Sequence, residues 1–186
     1  ELRLAVRSGQ HLQRVLNALR AQTLNLQQWE LLLIDNASVP SLETEIDLSW
    51  HLTARYLRED QLGLTHARRR GIQENNTEIL VFVDDDNVLY PDYLESTCEI
   101  FRKNPKIGAI GGKAIPEYKI EPASWFFEIN APLGCRDLGD EIHIDTSEQY
   151  HASKKYSEFA PIGAGIALRR SAAVDWSSRV CHDQKR

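Results

Sequence analysis

The residues best suited to chemistry are Asp84, Asp85 and Asp86, followed at once by Asn87. They come directly after the apolar run Ile79-Leu80-Val81-Phe82-Val83, which reads as a buried strand, and before the turn signal Tyr90-Pro91-Asp92. In open α/β sheets, ligands bind outside the carboxyl ends of such strands. Three carboxylates crowded there repel one another unless a cation neutralises them. Hard ions such as Mg²⁺ and Mn²⁺ take oxygen ligands and usually share them with substrate phosphates, so the cluster points to metal-assisted departure of a phosphate group. A solvated acidic turn that caps the next helix is the plainer reading of the same residues.

Two further residues carry a charge where the pattern predicts an interior. Asp35 ends the apolar run Trp29-Glu30-Leu31-Leu32-Leu33-Ile34 and opens the cluster Asp35-Asn36-Ala37-Ser38, so it either caps a turn or receives a base or ribose at the sheet edge. Arg68 lies four residues from both Leu64 and Ile72 and shares their inward helical face. An arginine there requires an anion, either a ligand or one of the strand-end carboxylates. Arg69 and Arg70 turn away and read as surface charges.

The elements that must hold these residues alternate along the chain. Leu12, Val15, Leu16 and Leu19 recur at helical spacing and predict an amphipathic helix over residues 9–22. Strands follow at 29–34, 52–57 and 79–83, with helices at 41–50 and 63–75 between them. Pro91 opens a helix that runs to Asn104-Pro105, and residues 107–112 read as a small-residue strand. Such alternation implies βαβ units with a mostly parallel sheet. Residues 113–140, broken by Pro116, Pro122, Pro132, Gly134 and Gly139 around Trp125-Phe126-Phe127, read as a long irregular or lid-like segment. Both ends read as cut, with no helix or cap closing Cys181 to Arg186.

Composition narrows the class. A chain of 186 residues suits one domain, and a net charge of -5 argues against a nucleic-acid partner. Cys98, Cys135 and Cys181 are widely spaced and odd in number, as expected of reduced thiols. The sequence contains neither the ~18 consecutive apolar residues of a membrane span nor a signal-peptide pattern. A cytoplasmic setting follows, with peripheral membrane association left open.

Leu-Ile-Asp-Asn-Ala-Ser at 33–38, Gly-Leu-Thr-His-Ala-Arg-Arg-Arg-Gly-Ile at 63–72 and Val-Phe-Val-Asp-Asp-Asp-Asn at 81–87 together resemble the successive signatures of family 2 glycosyltransferases. Leu-Arg-Ala-Gln-Thr at 19–23 and Gly-Ala-Gly-Ile-Ala-Leu-Arg-Arg at 163–170 extend the likeness over nearly the whole chain in the correct order. The resemblance implies a GT-A fold, an inverting transfer from a nucleotide-diphosphate sugar, most often a uridine diphosphate sugar, and use of Mn²⁺ or Mg²⁺. The acceptor would be a saccharide or a lipid-linked group, as in polysaccharide or glycoconjugate synthesis. Residues 1–112 would form the nucleotide-sugar half and residues 113–186 an incomplete acceptor-side half of one catalytic domain. Carried over by motif, Asp35 would contact the base, Arg68 would lie near the donor, Asp84 and Asp85 would approach ribose or sugar, and Asp86 would bind the metal within a DXD motif. Leu4-Ala5-Val6-Arg7 stands where the family usually has Pro-Thr. The catalytic base is unassigned, the family's acidic base being expected beyond Arg186. Two other readings compete: a sugar-nucleotide nucleotidyltransferase, whose Gly-rich loop with a following Lys is not seen, and a non-catalytic donor-binding fragment.

Overall fold

A computed structural model describes residues 2–6, 9–125, 134–146, 148, 155 and 157–183, and of residues 2–6, 9, 10 and 181–183 it describes the backbone alone. In chain order the elements are β1 (Leu2–Val6), α1 (Gly9–Arg20), β2 (Leu31–Asp35), β3 (Arg55–Arg58), α2 (Leu64–Gln73), β4 (Ile79–Asp84), α3 (Tyr93–Lys103), β5 (Ala109–Ile110), β6 (Ala167–Arg169) and α4 (Arg170–Asp183). The strands form one sheet in the order β3-β2-β1-β4-β6-β5. β1 through β4 run parallel, and β6 joins β4 and β5 antiparallel.

Side-chain alternation along the strands explains the layers. Leu31, Leu33, Val81 and Val83 pack with Leu12, Val15, Leu16 and Leu19 of α1 and with Leu94 and Phe101 of α3. Their neighbours in sequence turn to the opposite face: Leu80 and Phe82 meet Ile72 of α2 and Ala173 of α4, and Leu32 and Ile34 meet Ala67 of α2. A period of two on the strands thus buries both faces of the sheet between helical layers, as a parallel sheet demands.

Five expectations need correction. Residues 41–50 form turns rather than a helix, with Ile46 N–H bonded to Leu42 O at 3.2 Å and Ser49 N–H captured by the Asp47 carboxylate at 2.8 Å. Short polar side chains there compete for the backbone groups a helix would use. The strand expected at 107–112 shrinks to Ala109–Ile110, and the strand expected at 52–57 begins only at Arg55. Residues 170–183 form a helix that the sequence reading did not anticipate, its inner face being made of the small residues Ala173 and Ser177. Pro91 lies in the turn before α3 rather than inside its first turn.

The segment 113–140 is irregular where described, and Ala114 and Arg136 form an antiparallel bridge across it. Lys113 reinforces that closure by pairing with Asp137 at 3.1 Å and Asp140 at 2.7 Å. Trp125 is exposed, and Phe126 and Phe127 lie outside the described residues. No described helix is long and apolar enough to cross a membrane.

The core assignment gives a direct test. Leu33 is fully buried while Leu52 is 92% exposed. Leu33→Ala is expected to cost about 2–5 kcal/mol, and Leu52→Ala no more than about 0.5 kcal/mol, in urea denaturation. Equal costs would place the core elsewhere.

Candidate functional site

Strand register sets the site. Val6 lies opposite Asp35 and Ala5 opposite Asp84, so β1, β2 and β4 end level at one edge of the sheet. The chain passes from β1 to β2 on one side and later enters β4 on the other, which creates a topological switch point where side elements diverge and leave a crevice. Asn87 N–H then donates to Asp84 O at 3.1 Å, closing a tight turn that leaves Asp84 and Asp85 half-buried and Asp86 exposed.

Arg68 is brought to that turn from α2. Its Nη2 lies 3.5 Å from Asp84 Oδ1 and donates to Gly163 O at 3.4 Å, while the guanidinium sits 5.6 Å from the Phe82 ring centroid. The strand-end carboxylate of Asp84 is thus one anion that Arg68 meets. A Cβ on Gly163 would stand 3.0 Å from Arg68 Nη2, so a side chain there would require the guanidinium to shift by a few tenths of an ångström. Tyr93 Oη donates to Gly165 O at 2.5 Å and pins the same turn from α3. Burial pushes the Asp84 carboxyl above the usual carboxylate range; Arg68 opposes that rise, and Asp86 and Asp85 add to it.

Asp35 has the opposite environment. It is fully buried, and its carboxylate accepts from Ser38 N–H at 2.9 Å, Leu42 N–H at 3.3 Å, Tyr56 Oη at 2.6 Å and Arg58 Nη1 at 3.0 Å. Burial alone would raise its pKa, but the donors gathered from Ser38, Tyr56 and Leu42 outweigh burial and hold it at about 2. These donors fold the loop after β2 onto the end of β3. Asn36 extends the connection to α2: its Nδ2 donates to Glu59 O at 3.1 Å and Gln61 O at 2.7 Å, and its Oδ1 accepts from Gly63 N–H at 2.7 Å. Gly63, at φ 127, is the residue from which α2 starts.

Tyr56, Arg58, Asn36 and Gln22 escaped the sequence reading as site-forming residues. Gln22 Nε2 donates to Tyr90 O at 2.7 Å and its Oε1 accepts from Leu94 N–H at 3.0 Å, so the end of α1 grips the start of α3. Asn36 and Gln22 do lie inside the motifs that carry the family resemblance, whereas nothing in the sequence pairs Tyr56 or Arg58 with Asp35.

The oxygen donors at the turn suit a hard divalent ion. Among the described residues no cluster of three or more His, Cys, Asp or Glu converges as a preformed cage. An ion held by one or two carboxylates and completed by phosphate oxygens and water needs no such cage, and an exposed carboxylate such as Asp86 has the chemistry for it.

The Asp35 network makes stability depend on pH. A folded pKa of about 2 against 3.8 for the same carboxyl in the unfolded chain means that the stabilisation is present above pH 3.8 and is lost as pH falls through 2. The difference amounts to roughly 2 kcal/mol. Asp35→Asn is expected to lower stability at pH 6 by at least that amount, with the gap to the native protein narrowing between pH 4 and 2 in urea titrations. A gap independent of pH would detach the effect from the charge.

The comparisons with known proteins follow the same geometry. The family model described as glycosyl transferase family 2 matches residues 5–176. A curated relative, glucosyl-dolichyl phosphate glucuronosyltransferase of Haloferax volcanii, is 22% identical over 99 residues, covering 53% of this chain and 32% of the relative. Among solved structures, S. aureus TarS 1-349 superposes with a TM-score of 0.62 at 15% identity, over 94% of this chain and 48% of that one. The mannosyltransferase PcManGT from Pyrobaculum calidifontis, in complex with GDP-Man and Mn²⁺, gives a TM-score of 0.53 at 19% identity, over 61% of this chain and 34% of that one. The chain thus spans less than half the length of these relatives. With the family matched from residue 5 to residue 176 and a GT-A architecture shared with these structures, the chain belongs to glycosyl transferase family 2.

Proposed function

We propose that this chain is the nucleotide-sugar-binding part of an inverting glycosyltransferase that moves a sugar from a nucleotide-diphosphate donor to an acceptor hydroxyl with the help of Mn²⁺ or Mg²⁺. The observation that carries the reading is the meeting of Asp84, first of the run Asp84–Asp86, with Arg68 at the β1/β4 switch point, in a chain of this family. Support for the donor class comes from relatives of the same fold solved with UDP, UDP-GlcNAc and GDP-Man, the last together with Mn²⁺. The curated relative acts on a lipid-linked sugar by its name, which makes a lipid-linked or saccharide acceptor the reading to test first.

In this proposal residues 1–112 bind the donor and residues 113–186 contribute the acceptor side. Asp86, the most exposed carboxylate of the run, is the metal ligand, and Asp84 and Asp85 face ribose or sugar. A bound divalent ion would neutralise charge on the departing diphosphate. Arg68 adds a fixed positive charge beside the same phosphates, where a low-dielectric wall strengthens it. Asp35 serves the base end, and its hydrogen bonds to Ser38, Leu42, Tyr56 and Arg58 support a role in holding the loop 36–42 there. The attacking hydroxyl is a poor nucleophile until a carboxylate takes its proton, and attack opposite the leaving diphosphate inverts the anomeric carbon.

Two measurements test the reading. Uridine diphosphate at about 100 times its Kd should stabilise the protein by about 2.7 kcal/mol in Mn²⁺, and far less in excess chelator. Equal melting shifts in both conditions would remove the metal. Asp86→Ala is expected to abolish the Mn²⁺-dependent part of nucleotide binding without loss of stability, because it removes one of three mutually repelling charges. Retained metal dependence, measured by calorimetry, would move the ligand to Asp84 or Asp85.

A further inference from the structure

Asp84 already has a cation. Arg68 Nη2 stands 3.5 Å from its Oδ1, with the two side chains 22% and 29% exposed, so the pair is partly shielded from water and from salt. The contact is longer than the ~2.7–2.9 Å of a tight charge-assisted bond, which leaves the guanidinium beside the carboxylate rather than locked onto it. The guanidinium also donates to Gly163 O at 3.4 Å and lies over the Phe82 ring. An arginine cannot shed its charge, so a bare divalent ion approaching Asp86 in the acidic turn meets a positive group held beside neighbouring Asp84. A diphosphate removes that conflict by giving the guanidinium a second anion.

Resting on the proposed donor and metal chemistry, we infer that Arg68 is a resident competitor for the acidic turn: it weakens binding of the bare cation and turns toward the diphosphate when cation and nucleotide arrive together. Cation and nucleotide therefore bind cooperatively, each raising the affinity for the other by the same factor. The arrangement keeps the site from trapping free metal and couples metal capture to donor capture.

Calorimetric titrations of the protein with Mn²⁺ alone, uridine diphosphate alone and both together, for the native chain, Arg68→Met and Arg68→Lys, test this. Arg68→Met keeps an apolar stem against Phe82 and loses the charge. It should bind Mn²⁺ alone about five- to tenfold more tightly than the native chain, bind uridine diphosphate in saturating Mn²⁺ more weakly, and show a smaller coupling factor. Arg68→Lys retains the charge and should stay close to native for Mn²⁺ alone. The gain in Arg68→Met should shrink as salt rises from 0.05 to about 0.5 M, which a purely structural effect would not do. Unchanged or weaker Mn²⁺ binding by Arg68→Met, with metal-dependent nucleotide binding intact in the native chain, overturns the inference and leaves the proposed function standing. Nucleotide binding by the native chain that ignores Mn²⁺ overturns both.

Discussion

Four aspartates at the carboxyl edge of one sheet are the constraint around which the rest of the molecule is arranged. Asp35 ends β2, Asp84 ends β4, and Asp85 and Asp86 follow in the adjoining turn. Such a concentration of negative charge is unfavourable unless each carboxylate finds donors, a counter-cation or water. Three of them find different ones: Asp35 is wrapped by protein donors, Asp84 leans on Arg68, and exposed Asp86 accepts from Asn87 Nδ2 at 3.0 Å.

These solutions push two chemically identical side chains apart. Donors hold Asp35 ionised down to a pKa of about 2, whereas burial and like charges push Asp84 upward. The first is fixed as part of the wall, and the second is poised to gain from a positive partner. Divergent environments of this kind separate structural from reactive carboxylates in many sites. Here the division follows from position: Asp35 is flanked by β3, which supplies Tyr56 and Arg58, while Asp84 faces the open side of α2.

Clamps from distant parts of the chain maintain the geometry. Asn36 joins the end of β2 to the loop that launches α2, and so sets where Arg68 emerges. Gln22 ties α1 to α3, and Tyr93 of α3 holds the Gly163–Gly165 turn against Arg68. Clamps of this kind preorganise the backbone that carries the site's charged side chains.

Much of this was legible in the sequence. The apolar runs ending in Asp35 and Asp84, the helical spacing of Leu12, Val15, Leu16 and Leu19, and the inward placement of Arg68 follow from periodicity, which local sequence encodes directly. The ordered motifs carry the family resemblance in the sequence alone. Helix α4 and the turns at 41–50 were not legible, because the first buries only small residues and the second balances weak helical spacing against competing side-chain hydrogen bonds. Which anion Arg68 meets, the burial of Asp35 beneath Tyr56 and Arg58, and the approach of Gly163 to Arg68 across 95 positions of sequence were decided by tertiary structure alone. Those contacts depend on strand register and helix docking, properties of the packed sheet that no local pattern of residues contains.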